Sequence, residues 1–71
     1  MSIGENIKRL REQHGITMQE LADYAAVATP QIAKYEAGIT CPNAVSAVMI
    51  AEKLGTTVEY LVKGGENNDI G

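Results

Sequence analysis

The sequence contains few residues of several types, and each shortage argues against a class of protein. One cysteine, Cys41, among 71 residues excludes a disulfide within the chain and fits a reducing compartment. One histidine, His14, leaves too few ligands in a single chain for a zinc site of ordinary composition. No apolar run approaches the roughly 18 residues of a membrane-spanning helix, and the N-terminus lacks the apolar block of a signal peptide. We therefore expect a cytoplasmic protein with no cofactor, no metal and no membrane partner.

Positive charge is also scarce. The chain has 6 lysine and arginine residues and 9 aspartate and glutamate residues, so its formal net charge is −3. Two of the acidic residues, Glu66 and Asp69, lie in the segment 64–71, and without them the balance is 6 basic to 7 acidic, a net charge of −1. Phosphate binding draws most of its affinity from lysine and arginine. Any binding to nucleic acid must therefore depend on geometry and on the placement of a few cations.

Two capping boxes mark the starts of the first two helices. Ser2 is followed three residues later by Glu5, and Thr17 is followed by Glu20. In this pattern each side chain accepts a hydrogen bond from the backbone amide of the other residue. Apolar residues recur at helical spacing after each box, and Gly15 interrupts the first pattern. The predicted helices cover about Ser2–His14 and Thr17–Tyr24.

Three further helices are predicted in the rest of the chain. Thr29 is expected to cap the third helix, with Pro30 in its first turn and Gly38 at its end. Asn43 and Thr57 are expected to cap the fourth and fifth helices. These last two helices are predicted over about Ala44–Leu54 and Thr57–Val62.

The pattern as a whole predicts the fold class. No strand-like alternation appears, and the connections between the predicted helices have two to five residues. We therefore expect an all-α, five-helix bundle. Residues 1–63 form one domain in this interpretation, and residues 64–71 are a flexible tail or the start of a linker.

The second and third helices, joined by a short turn around Ala26, have the arrangement of a helix-turn-helix. Spacing alone is a weak signal, because many helical bundles contain such a corner. Five motifs in order carry more weight, and they resemble the lambda-repressor-like (Cro-type) helix-turn-helix family of bacterial and phage regulators over about Ile3–Leu61. They are "IGENIKRLRE" from Ile3, "G-I-T-x-x-E-L-A" at 15–22, "I-x-K-Y-E-x-G" at 32–38, Pro42, and "IAEKLG" at 50–55.

The resemblance implies a function and a binding site. The expected protein is a sequence-specific transcriptional regulator, a repressor in this interpretation, that binds double-stranded operator DNA as a homodimer and places its third helix in the major groove. Because Ile32 and Tyr35 turn to the core, a helical step of about 100° per residue points Pro30, Ala33, Lys34 and Ala37 outward. The expected base-facing residues are Thr29, Pro30, Ala33 and Lys34, and the expected phosphate contacts are Thr17, Gln19, Gln31 and Asn43.

Other positions have expected structural or partner roles. In the family an arginine of the first helix pairs with the acidic residue at the end of the third, which implies a structural ion pair between Arg11 and Glu36. Val45, Met49 and Tyr60 stand where polar or charged residues are common, so a homodimer contact through helices four and five is expected there. An enlarged core, or surface without a partner, is the alternative for these three residues. Capping or solvated surface is the alternative for Thr17, Gln19 and Asn43. Solvated surface is the alternative for Lys34, and the alternative for the small residues of helix three is that they merely avoid clashes.

Three departures from the family pattern bear on affinity. Ala26 stands where glycine is frequent, Met18 replaces a frequent phosphate-binding glutamine, and Ala28 replaces a common serine cap. With few cations present, a protein-binding module or an antitoxin of the same fold is the alternative function. An enzyme acting on a small molecule is not expected, because no pairing of a nucleophile with a base is evident in so short a chain.

Overall fold

A computed structural model describes residues 2–64, which form five α-helices and no strand. The predicted all-α, five-helix class is therefore confirmed. No helix within these residues is long and apolar enough to cross a membrane. The expected tail lies outside the described residues, apart from Gly64, which ends the last helix. The helices are α1 (Ile3–Gln13), α2 (Met18–Ala25), α3 (Thr29–Ala37), α4 (Ala44–Lys53) and α5 (Val58–Lys63).

Both predicted capping boxes are present. The Ser2 hydroxyl oxygen accepts from the Glu5 amide at 3.1 Å, and the Glu5 carboxylate accepts from the Ser2 amide at 3.0 Å. The Thr17 hydroxyl oxygen accepts from the Glu20 amide at 3.0 Å, and the Glu20 carboxylate accepts from the Thr17 amide at 2.9 Å. The starts of α1 and α2 are thus set by local sequence, because these bonds satisfy amides that have no partner inside the helix.

The start of α3 differs from the prediction, and Thr29 is not its cap. Ala28 has the extended backbone of the capping residue, with φ −74° and ψ 148°, and Thr29 is the first residue of the helix. The Ala28 carbonyl accepts from the Gln31 amide at 2.9 Å. The first-turn amides have no acceptor four residues earlier within the helix, so a proline is tolerated throughout that turn. Its presence therefore fixes the helix start only to within about one residue. No side chain caps α3.

The core lies where the helices cross. α1 packs on α3 and α5, α2 packs on α3 and α4, and α4 packs on α5. Ala22 is fully buried in α2, as expected for a small residue at a close helix crossing. The large side chains with no measurable exposure, or almost none, are those of Ile7, Leu21, Ile32, Ile50, Leu54 and Leu61.

The turn between α2 and α3 uses an alanine in a left-handed conformation. Ala26 has φ 60° and ψ 40°, and it is the only described non-glycine residue with positive φ. The Ala26 amide donates to the Asp23 carbonyl at 3.3 Å, and the Val27 amide donates to the Ala22 carbonyl at 3.0 Å. A side chain in this conformation costs about 1 kcal/mol relative to glycine. Packing of α2 against α3 therefore holds the corner against a local preference.

α1 approaches the end of α3 so closely that only glycine fits between them. Gly4 is buried, and a Cβ atom built on it would collide with the carbonyl oxygen of Tyr35. The same Cβ would lie 3.1 Å from the carbonyl oxygen of Glu36. Contact at this point is therefore between backbones, and it fixes the orientation of α3 relative to α1.

A buried asparagine joins α1 to α5. Asn6 is fully buried, and its amide nitrogen donates to the Leu61 carbonyl at 2.7 Å. Its amide oxygen accepts from the Arg9 guanidinium at 3.3 Å. Both ends of the amide are thus satisfied, which is the condition for burying such a group without a large penalty.

Candidate nucleic-acid interface

One side of α3 is open to solvent along its whole length. Pro30, Ala33, Lys34 and Ala37 are all exposed, whereas Ile32 and Tyr35 on the opposite side are buried. We call these four exposed residues the α3 face. At about 100° per residue they fall within an arc of about 100°, a width that suits insertion into a groove. The structure therefore brings together three of the four expected base-facing residues.

The fourth residue, Thr29, lies beside the α3 face and is half-buried. Gln31, on the other flank, is also half-buried, and its amide nitrogen donates to the Thr40 hydroxyl at 3.2 Å. This bond fastens the start of α3 to the loop between α3 and α4. One proton of the Gln31 amide group is therefore already used within the domain.

Lys34 is the only charged residue of the α3 face. Its side chain is exposed, and it forms no ion pair with another residue in the range 2–64. The other three members of the face carry no hydrogen-bonding side-chain group. This face therefore offers one long cationic donor among short apolar side chains.

The N-terminus of α2 has fewer free backbone amides for binding an anion than an uncapped helix N-terminus. Its capping box uses the amides of Thr17 and Glu20, and it places the Glu20 carboxylate at the same end. The pKa of Glu20 is lowered, and the main cause is the hydrogen bond from the Thr17 backbone amide, which favours the charged form of the carboxyl group. For a phosphate there remain the first-turn amides of Met18 and Gln19 and the proton of the Thr17 hydroxyl.

Asn43 caps the start of α4, as predicted. Its amide oxygen accepts from the Ser46 amide at 2.8 Å, and the residue is exposed. The amide nitrogen of the same side chain keeps its protons for an acceptor outside the cap. Capping and phosphate contact are therefore compatible at this position.

Arg11 and Glu36 form a two-bond ion pair that joins α1 to α3. The Arg11 Nε and Nη2 atoms donate to the two Glu36 oxygens at 2.6 and 3.1 Å, and Nη1 donates to the Ile16 carbonyl at 3.0 Å. The side chains are only 11% and 4% exposed. The hydrogen bond with Glu36 raises the pKa of Arg11 above its usual value, so the guanidinium stays charged. Arg11 is thereby occupied inside the domain.

The apolar surface of α4 differs from the expected one. Val45 is 70% exposed, but Met49 and Tyr60 are half-buried and pack against the core, so part of their apolar surface serves the domain itself. Val48, which the sequence interpretation did not single out, is 46% exposed. Its spacing of three residues from Val45 was the available signal, because such residues share one side of a helix. An open groove of about 450 Å³ is lined by Ala44, Val45, Val48, Met49 and Glu52.

A family model described as helix-turn-helix matches residues 7–61 of the chain. Among curated relatives, an uncharacterized HTH-type transcriptional regulator of Bacillus subtilis (strain 168), YqaE, is 32% identical over 66 residues. That alignment covers 93% of this chain and 57% of the relative. The chain therefore spans little more than half the length of this relative.

Two solved complexes have the same arrangement of helices. The P22 c2 repressor protein in complex with a synthetic operator is similar with a TM-score of 0.86 and 26% identity, covering 90% of this chain and 97% of that one. SinR, the master regulator for biofilm formation, in complex with DNA, is similar with a TM-score of 0.76 and 28% identity. The second match covers 83% of this chain and 95% of that one.

Proposed function

The chain belongs to the helix-turn-helix family, and from that premise we propose that it is a sequence-specific transcriptional regulator that binds operator DNA in the cytoplasm. The α3 face enters the major groove and lies against base edges in this proposal. Its action is repression, achieved by occupying the operator. The observation that carries the proposal is the α3 face itself, which the domain leaves uncovered while the other side of α3 is buried.

The position of Lys34 supports a direct contact with a base. Its exposed side chain has no competing carboxylate partner among the described residues. A lysine on a helix in the major groove reaches guanine O6 and N7, the two acceptors that mark a G·C pair. We therefore assign Lys34 the recognition of one guanine in each half-site.

Phosphate contacts in this proposal come from neutral groups. Two sets of free donors are of the kind that hold phosphate oxygens. They are the protons of the Asn43 side-chain amide and the first-turn backbone amides of α2, which belong to Met18 and Gln19. Thr17 contributes its hydroxyl proton, and Gln31 contributes the amide proton that Thr40 does not take. These contacts set the orientation of the domain on the duplex.

Replacement of Lys34 by alanine tests the proposal. Duplexes that bind the wild-type protein are first selected from random DNA, and affinities are then measured by fluorescence anisotropy at several salt concentrations. Loss of the guanine contact should cost about 1–3 kcal/mol in discrimination at one base pair, or roughly fivefold to 150-fold. Preference at the other positions of the site should remain.

Lys63→Ala is the matched control. It removes the same charge from α5, where Lys63 forms an exposed pair with Glu59 at 3.0 Å. This variant should keep the sequence preference of the wild type. If no duplex is bound specifically at any salt concentration, the regulator proposal fails and the protein-binding alternative is favoured. If Lys34→Ala and Lys63→Ala behave alike, Lys34 does not contact a base.

We propose further that the operator-bound form is a homodimer joined through α4. Val45 and Val48 expose apolar surface side by side, and Met49 lines the same groove at its half-buried margin. Clustered apolar surface of this kind is typical of a contact with a partner. A second copy placed on this patch would set the spacing of two half-sites.

A glutamate in place of Val45 tests the dimer. Because Val45 lies in the first turn of α4 and is 70% exposed, the change should leave the fold intact while placing a charge in the contact. We expect a larger monomer fraction in sedimentation at a fixed protein concentration. Ile39→Glu is the control, since Ile39 is 69% exposed but lies in the loop before α4. An unchanged mass for Val45→Glu would remove this face from the dimer.

A further inference from the structure

We propose that the protein recognises thymine through its C5 methyl group, using Pro30 and Ala33 as the apolar contacts. This inference rests on the proposed operator binding and names the base feature that the same surface selects. In this proposal most of the sequence preference comes from van der Waals contact, and Lys34 supplies the one hydrogen-bonding side chain on the α3 face.

The exposed side chains near the start of the α3 face are apolar. Pro30 and Ala33 are exposed in the first two turns of α3, and neither has a side-chain donor or acceptor. In the major groove, thymine alone among the four bases presents a methyl group, which short apolar side chains contact. Thymine is therefore the base that this pair of residues distinguishes from the others.

The polar side chains near the start of α3 lie beside the α3 face. Gln31 has the amide group best suited to adenine, but that group donates to Thr40 and the residue is half-buried. Thr29 is also half-buried on the opposite flank. The residues with hydrogen-bonding capacity other than Lys34 thus stand beside the α3 face, and the centre of the face is left to proline and alanine.

The short side chains of the α3 face permit a close approach to DNA. Without long residues at positions 30, 33 and 37, the α3 backbone is free to lie deep in the groove, where a Cβ atom reaches a methyl group. Affinity from charge is small on this surface, since Lys34 is its single cation and Glu20 places a negative charge at the α2 N-terminus, where phosphate contacts are proposed. Close van der Waals contact with the bases must therefore supply more of the specificity than charge does.

The experiment uses deoxyuridine, which lacks the methyl group of thymidine and keeps the same base-pairing edge. In a duplex recovered by selection from random DNA, each thymine is replaced singly by deoxyuridine, and the affinity of the full chain is measured. At the thymines that face Pro30 and Ala33 we expect a loss of about fourfold for each methyl group removed, while deoxyuridine elsewhere is neutral. At a sensitive position, a C·G pair carrying 5-methylcytosine should bind more tightly than an unmethylated one.

Two alanine-to-glycine variants assign the contact to a residue. In Ala33→Gly the ratio of thymine to deoxyuridine affinities should fall to about one at one position, because the Cβ that touches the methyl is gone. Ala37→Gly makes the same change in the last turn of the same face and should keep that ratio. The ratio compares two duplexes with one protein, so any loss of fold stability cancels.

The outcomes separate this inference from the function on which it rests. Failure to bind any duplex specifically overturns the proposed function. Specific binding that is insensitive to every deoxyuridine substitution overturns methyl recognition and leaves the function standing. Sensitivity that persists unchanged in both Ala33→Gly and Pro30→Ala shows that another residue makes the contact, and it overturns the assignment to Pro30 and Ala33.

Discussion

Glu36→Ala is expected to lower the free energy of unfolding by about 3 kcal/mol, because it leaves the Arg11 guanidinium without its carboxylate in a largely buried site. Arg11 donates twice to Glu36, and both side chains are largely buried. A domain of this size has only about 5 kcal/mol of stability, so a measurable unfolded fraction should appear at 25 °C. Urea denaturation followed by circular dichroism gives the free energy, since the chain has no tryptophan.

The helix dipole makes the sign of this result informative. Glu36 stands in the last turn of α3, where a negative charge is unfavourable, so removing an unpaired glutamate there would stabilise the helix slightly. The exposed pair between Lys63 and Glu59 is the control within the same chain, and Glu59→Ala should cost at most about 0.5 kcal/mol. The double variant Arg11→Met with Glu36→Leu should recover much of the loss, because no buried charge remains. Equal effects for Glu36→Ala and Glu59→Ala would contradict the structural role.

Gly4→Ala is expected to destabilise the domain by about 2–3 kcal/mol, against the usual effect of this substitution in a helix. Alanine is normally favoured over glycine within a helix by about 1 kcal/mol. Here the added methyl group meets the Tyr35 carbonyl oxygen and lies close to the Glu36 carbonyl. Neither backbone atom moves without displacing the end of α3 from α1. The midpoint and slope of urea denaturation are the measurements.

Gly15→Ala separates this steric clash from the other cost of replacing a glycine. Gly15 has φ +68°, but a Cβ atom there meets nothing within 4 Å. Its replacement should cost about 1 kcal/mol from backbone strain alone. If Gly4→Ala left stability unchanged or raised it, the close approach of α1 to α3 would not exist in solution. Because the approach orients α3, operator affinity of Gly4→Ala should fall even where the domain is still folded.

Local signals in the sequence sufficed for most of the fold. The boxes at Ser2 and Thr17 and the cap at Asn43 act over three residues, so they are legible without knowing what packs against the helix. The start of α3 was misplaced by one residue because Pro30 is compatible with several first-turn positions and Ala28 has no capping side chain. Helix ends are thus predicted well only where a side chain makes a specific bond.

Contacts between helices were less accessible to sequence reasoning. The pairing of Arg11 with Glu36 came from the family resemblance, since 25 residues separate the two in the chain. Gly4 and Asn6 were overlooked, although each left a signal. A glycine in the first turn of a helix invites a packing explanation, and Asn6 shares the helical spacing of Ile3 and Leu10, which places it on the core side. What the sequence does not contain is the partner of each residue, because that depends on how α3 and α5 cross α1.

The scarcity of cations also bears on how the regulator proposed above would search a genome. Electrostatic attraction to phosphates is the main source of binding to unrelated DNA. Residues 2–64 hold 6 basic and 7 acidic side chains, with one lysine on the α3 face, so random sequence should retain the protein only briefly. Even a modest affinity for the operator would then exceed the affinity for unrelated DNA by a useful ratio. Most copies would remain unbound in the cell, and occupancy of the operator would follow the number of copies directly.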